Sequence, residues 1–147
     1  MDIKDFLAPD AVFIDIPVSK KGELLEDLCH RAASILRVDA DKITAHILKR
    51  EELGSTGTGD GIAIPHARIQ GVTRPFGLLV KLSQPIDFDA IDRRPVDLVF
   101  LLLLPATADR SQLDALASVA RKLRVAQTVL RMRQARRATE LYFAISE

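Results

Sequence analysis

With one cysteine, Cys29, among its 147 residues, the chain cannot form an internal disulfide, and nothing in it points to an oxidising compartment. Long apolar runs are missing as well. The longest, Leu98 to Leu104, falls far short of the roughly 20 residues that a membrane-crossing helix requires. The opening stretch MDIKDFLAPDAVF mixes charged with apolar residues and lacks the continuous apolar segment of a signal peptide, so a cytoplasmic protein without membrane insertion is expected. Neither sign of charge is in excess: 21 basic and 20 acidic residues leave a net charge of +1, which excludes an acidic tail or a strongly basic nucleic-acid-binding domain as the whole of the protein. No Pro/Gly/Ser-rich linker, repeat or low-complexity tract divides the chain, and residues 1–147 read as one domain. What is present is an ordinary globular composition, 48% hydrophobic and 28% charged. A chain of this length buries about 68–70% of its unfolded surface and needs neither disulfides nor a structural metal to build a core.

Hydrophobic periodicity gives the layout. Residues 12–16 (VFIDI) alternate up to Pro17 and predict a short outer strand. Ser19 is a candidate cap for a helix whose stripe is Leu24, Leu25, Leu28, Ala32, Ile35 and Leu36, with Cys29 on its buried side. A second helix starts at Asp39 or Asp41, carries Ile43, Ile47 and Leu48, and stops before Gly54 as its terminal cap. Ile62-Ala63-Ile64 reads as a short strand ending at Pro65-His66. Gly77 to Leu82 and Val96 to Leu104 read as strands, the latter apolar at nearly every position and so buried on both faces. Asp109 or Ser111 can cap a further helix with Leu113, Leu116, Ala117, Ala120 and Leu123 inward, and Val129 to Ile145 supplies one or two more. Helices interleaved with strands predict a single α/β layered domain.

Four of the seven glycines fall in the eight residues Gly54 to Gly61. Such a loop invites a nucleotide-binding reading, because glycine lets backbone amides approach a phosphate. The spacing opposes it. Gly54 to Gly59 is followed by Asp60 and Gly61 instead of the Lys-Ser/Thr of a P-loop, and Ile62 stands where a dinucleotide fingerprint has its third glycine. His30, His46 and His66 lack zinc-ligand spacing, and Cys29 and His30 point about 100° apart on a helix, which also weakens a Cys-His nucleophile pair. No GxSxG elbow is present. His30 reads as a solvated partner of the Glu26 carboxylate one turn earlier, and His46 as a boundary residue. His66 differs, since it follows a rigid proline and a loop rich in amide and hydroxyl donors. Local chemistry leaves it open between a structural histidine and a nucleophile beside which Ser55, Thr56 and Thr58 bind the oxygens of an anion. Between Asp114 and Glu140 there is no acid, while Arg121, Lys122, Arg124, Arg131, Arg133, Arg136 and Arg137 are present. Without interleaved aromatics, a solvated face is favoured there over a patch for an acidic partner, and no nucleic acid is implied.

The segment Arg50-Glu51, then Gly54 to Ala67 (GSTGTGDGIAIPHA), resembles the phosphorylation-site region of the enzyme IIA domains of the bacterial phosphoenolpyruvate-dependent phosphotransferase system, fructose/mannitol class, and most closely its nitrogen-regulatory type. The likeness continues through Gln84 to Asp92 (QPIDFDAID) and Pro95 to Phe100 (PVDLVF), then Leu116 to Leu123, and ends at Glu140-Leu141-Tyr142. It covers essentially the whole chain. The resemblance implies a mixed sheet flanked by helices, with His66 as a phosphoacceptor served by the phosphohistidine of a small histidine-containing phosphocarrier protein. It implies Arg50 as a guanidinium beside that histidine, able to pair with phosphoryl oxygens in a way a lysine is not. It implies signalling to regulated partner proteins and calls for no cofactor or metal. Two positions depart from the family pattern. Thr58 replaces an aliphatic residue, and Gln112 stands where the family has a second histidine; its amide can donate a hydrogen bond but cannot become cationic. A binding module without useful phosphotransfer and a sugar-permease IIA component are the two rival readings.

Overall fold

The computed structural model describes residues 1–107 and 110–147, with the side chains of Ser111 and Gln112 outside the described set. Two 3-10 turns, Ile3–Asp5 and Pro9–Ala11, lead into β1 (Val12–Ile16). Then come α1 (Lys21–Leu36), α2 (Ala40–Glu52), β2 (Gly57–Gly59), β3 (Ile62–Ala63), β4 (His66–Ile69), β5 (Phe76–Ile86), β6 (Val96–Pro105), α3 (Arg110–Lys122), α4 (Ala126–Gln134) and α5 (Ala138–Ser146). The described strands form one mixed sheet in the order β1-β5-β6-β3-β2, with β4 also on β6. This is the α/β domain expected.

The centre of the sheet is β6, buried at every residue but Asp97. A strand buried on both faces needs cover on both. Two helical groups supply it: α1 and α2 pack together and against β5 and β4, while α3 meets β6, α5 meets β1, and α4 packs on α5. Strand β1 lies at the edge, parallel to β5, as its alternating pattern predicted. No helix among the described residues is long and apolar enough to cross a membrane.

Helix α1 buries Leu24, Leu25, Leu28, Cys29, Ala32 and Ala33. Each buried leucine contributes about 1.5–3 kcal/mol. Burial also pushes the Cys29 thiol up to about 11, so it is a core residue and no nucleophile at neutral pH. Three details of the helix reading are corrected. Ile35, expected in the stripe, is exposed, because the inward arc closes on Ala32 and Ala33. The cap position belongs to Lys20 and not Ser19, whose amide donates to Glu23 Oε1 at 3.2 Å. Helix α2 is capped by Asp39 as expected, its side chain accepting from the Asp41 amide at 3.0 Å, but Leu53 and not Gly54 closes its far end.

The larger correction concerns α3. Its buried residues are Ala115, Ser118 and Val119, followed by Leu123 beyond its end, whereas Leu113 is 68% exposed and Ala117 is also exposed. Leu116 and Ala120 sit between, partly buried against the core. Two stripes on this helix share the 3.6-residue period, and the choice between them comes from outside it: the small-residue side packs on β6 and the first 3-10 turn, where Ser118 Oγ donates to the Met1 carbonyl. Of the two expected caps, Asp109 lies outside the described residues, and Ser111 falls inside the helix, which already begins at Arg110.

Candidate functional site

The glycine-rich segment is a hairpin. Strand β2 pairs antiparallel with β3, and the connecting Asp60 and Gly61 both have positive φ, 57° and 79°. That combination is the signature of a type I′ turn, for which Asp-Gly is a favoured pair. Gly61 suits the positive φ of the turn, and a Cβ there would also push Arg133 Nη2, 2.5 Å away, off its contacts. Gly57 is required by close approach: a Cβ would meet Ala90 Cβ at 2.8 Å. These two glycines serve the chain's own turn and packing, which the composition alone had left open to a phosphate-cradle reading.

His66 opens β4 instead of ending the preceding strand, as the sequence had suggested. Both β3 and β4 run parallel to β6 with a break at Ile64-Pro65, where the Leu102 amide donates to the Pro65 carbonyl at 2.9 Å and His66 takes register opposite Leu102. The imidazole is half-buried, and its Nδ1 lies 2.8 Å from the Ile64 carbonyl. A carbonyl only accepts, so the hydrogen sits on Nδ1 and the lone pair is on Nε2. The backbone thereby leaves Nε2 as the ring nitrogen with an available lone pair.

Arg50 and Glu51 lie in the last turn of α2, which packs on β4. Arg50 donates through Nη1 to the Gly54 carbonyl at 2.9 Å and has no carboxylate partner among the described residues. One edge of its guanidinium is anchored while the charge stays uncompensated. The Glu51 side chain, only 6% exposed, accepts from the Thr56 hydroxyl, from the Thr56 amide at 3.2 Å and from Lys21 Nζ at 2.9 Å. Lys21 also lies over the Phe88 ring, 4.6 Å from its centroid. Ser55 Oγ donates to the Phe88 carbonyl at 2.9 Å and accepts from the Gly57 amide at 3.1 Å. The hydroxyl protons of Ser55 and Thr56 are therefore both engaged within the protein. Thr58 is exposed, its hydroxyl 3.4 Å from the Ile62 carbonyl. Gln112 belongs to α3, and its side chain lies outside the described residues.

The turn end of the hairpin is held differently. Asp92 accepts from the Asp60 amide at 2.9 Å and the Arg94 amide at 3.1 Å, and these two bonds, with the Arg94 charge, hold its carboxyl below the ordinary carboxylate range. Arg94 Nη1 pairs with Asp60 at 3.2 Å on the surface. From α4, Arg133 pairs with Asp97 at 3.0 Å and donates to the Asp60 carbonyl at 2.5 Å. The basic segment is thus partly spent inside the molecule, with Arg131 on Glu147 at 2.7 Å, while Arg124, Arg136 and Arg137 remain exposed. His30 and His46 are exposed and bond the carbonyls of Glu26 at 2.8 Å and Lys42 at 2.9 Å. The expected carboxylate partner of His30 and boundary setting of His46 are replaced by these helix-surface contacts. No group of three or more His, Cys, Asp or Glu among the described residues is arranged to hold a metal ion.

Sequence reasoning missed Glu51, Asp92 and the Arg133–Asp97 pair. Glu51 had a signal, since it stands beside Arg50 in the recognised motif. Arg133 and Asp97 had none, being 36 residues apart.

An α/β domain that presents one imidazole nitrogen at a strand start, packed against a helix that ends in an arginine with no carboxylate partner among the described residues, has the makings of a site for an anionic group. The family model described as "Phosphoenolpyruvate-dependent sugar phosphotransferase system, EIIA 2" matches residues 5–147, and the chain belongs to this family, as a phosphotransfer component of that system. Among its relatives, a nitrogen regulatory protein of Bradyrhizobium diazoefficiens is 38% identical over 146 residues, 99% of this chain and 95% of that protein. A nitrogen regulatory protein of Pseudomonas aeruginosa is 39% identical over 141 residues, covering 95% and 92%. The crystal structure of the nitrogen regulatory protein IIA-Ntr from Neisseria meningitidis superposes with a TM-score of 0.91 at 30% identity, over 97% of this chain and 98% of that one.

Proposed function

We propose that this protein is a cytoplasmic phosphocarrier of the nitrogen-regulatory type, with His66 as its covalent phosphoacceptor. The observation that carries the reading is the Nδ1–H bond to the Ile64 carbonyl, which leaves Nε2 as the nucleophile. The donor is the phosphohistidine of a histidine-containing phosphocarrier protein. The Nε2 lone pair attacks phosphorus in line as the bond from phosphorus to the donor's imidazole nitrogen breaks, and that nitrogen leaves with the electron pair. Positive charge gained by the His66 ring is stabilised where the Nδ1 proton meets the Ile64 carbonyl. Arg50, with its free guanidinium edge, and the exposed Thr58 hydroxyl face the phosphoryl oxygens, while Ser55 and Thr56 act through the shape of the loop. Gln112 contributes an amide donor. The phosphorylation state is then read by regulated partner proteins, a regulatory role in keeping with relatives named nitrogen regulatory proteins.

Reconstituting the phosphoenolpyruvate relay with the organism's own carrier proteins, and locating the phosphoryl group by mass spectrometry, tests this directly. One phosphoryl group on His66, labile in acid and persistent in alkali, is expected; His66→Ala abolishes it, with a stability change within about 0.5 kcal/mol. Full labelling of His66→Ala overturns the assignment. The second reading, a binding module with impaired transfer, rests on Gln112. If it holds, Gln112→His raises the single-turnover rate by roughly tenfold for each 1.36 kcal/mol of transition-state stabilisation recovered, and less as pH rises above the ordinary histidine value of about 6.5.

A further inference from the structure

Between the hairpin and the α3–α4 corner lies a groove of about 820 Å³ beside the His66 site; His66 and Arg50 are not among its lining residues, while Thr58 and Ile64 border both. Its volume falls within the roughly 300–1,000 Å³ of small-molecule sites. The floor is apolar, formed by Ile62, Ile64, Leu123 and Val129. All four are buried residues of the main core, so the floor is rigid. The rim is cationic. Of its three arginines, Arg133 is held by Asp97, Arg94 makes an exposed pair with Asp60, and Arg124 is exposed with no side-chain partner among the described residues. The one carboxylate among the described lining residues, Asp60, is already matched by Arg94, so the local field is positive where an occupant's polar end would lie.

We infer that this groove binds a small amphipathic anion, its hydrocarbon or aromatic body on the Ile62–Ile64–Leu123–Val129 floor and its carboxylate, phosphate or sulfonate on Arg124. Arg94 reinforces the contact by exchanging its exposed Asp60 partner, which costs little because surface ion pairs are weak. A cationic or wholly polar molecule does not fit, since one meets the arginines and the other leaves the floor uncovered. The binding measurement requires no phosphotransfer, so its failure and the failure of the His66 assignment are separate outcomes.

The test titrates the whole chain with 8-anilinonaphthalene-1-sulfonate, whose fluorescence rises in apolar surroundings. Saturable binding at one site is expected, with displacement by decanoate and none by decyltrimethylammonium. Arg124→Glu weakens binding about tenfold, the loss of a charge-assisted contact. Ala120→Phe, which projects an aromatic ring into the groove, blocks it, and reversal of an exposed arginine outside its lining, Arg74→Glu, leaves it unchanged. Circular dichroism confirms that each variant is folded. Absence of saturable binding, equal displacement by the cation, or an affinity within about twofold of the parent in Arg124→Glu overturns the proposal.

Discussion

The two ends of the glycine-rich hairpin are alike in composition and unlike in how they are held. Residues 54–57 are fixed by buried groups: Glu51 takes both the hydroxyl and the amide of Thr56, and Ser55 is locked to the Phe88 carbonyl. Residues 59–61 are fixed mainly by charged side chains at the surface, Asp92 and the Arg94–Asp60 pair, with Arg133 reaching in from α4. A run of glycines, serines and threonines therefore says little about rigidity. What matters is whether the anchoring groups are out of water, because breaking a buried ionic contact strands a charge whereas breaking an exposed one exchanges it for solvent.

The sharpest way to break this comparison is Glu51→Ala, which leaves Lys21 without its main partner and Thr56 without an acceptor. A loss of about 3 kcal/mol in denaturant unfolding is expected, with weaker phosphoryl uptake at His66 in the variant that still folds. A loss below about 0.5 kcal/mol would show that the buried anchor does not hold this end. Next in size is Gly57→Ala, whose methyl must displace Ala90, for an expected cost of about 1–3 kcal/mol in the same measurement. At the turn end, Arg94→Ala is expected to change stability by no more than about 0.5 kcal/mol, with even that difference fading as salt rises; a large, salt-independent loss would erase the contrast. The smallest effect is read by pH. Because Asp92 is ionised more readily when folded, its contribution is present above the ordinary carboxylate value of 3.8 and is lost as pH falls through its lowered value. The Asp60 and Arg94 amide proton shifts should titrate together with a midpoint below 3.8, and a midpoint at or above it would dissociate them from Asp92.

Much of the framework was legible in the chain itself. The α1 stripe, the Asp39 cap, the edge strand at 12–16 and the doubly buried β6 all follow from periodicities and caps that act over a few neighbouring residues, and the long motif through Pro65-His66 identified the family and the histidine to examine. Tertiary structure decided the remainder. It chose between two equally periodic faces of α3, placed His66 at a strand start where the Ile64 carbonyl selects Nε2, drew the Ser55 and Thr56 hydroxyls into the protein, and joined Arg133 to Asp97 across 36 residues. The reason is one of range: helix and strand propensities are set by backbone neighbours, whereas the partner of a side chain is whatever the fold brings within about 3 Å of it, and no local pattern encodes that.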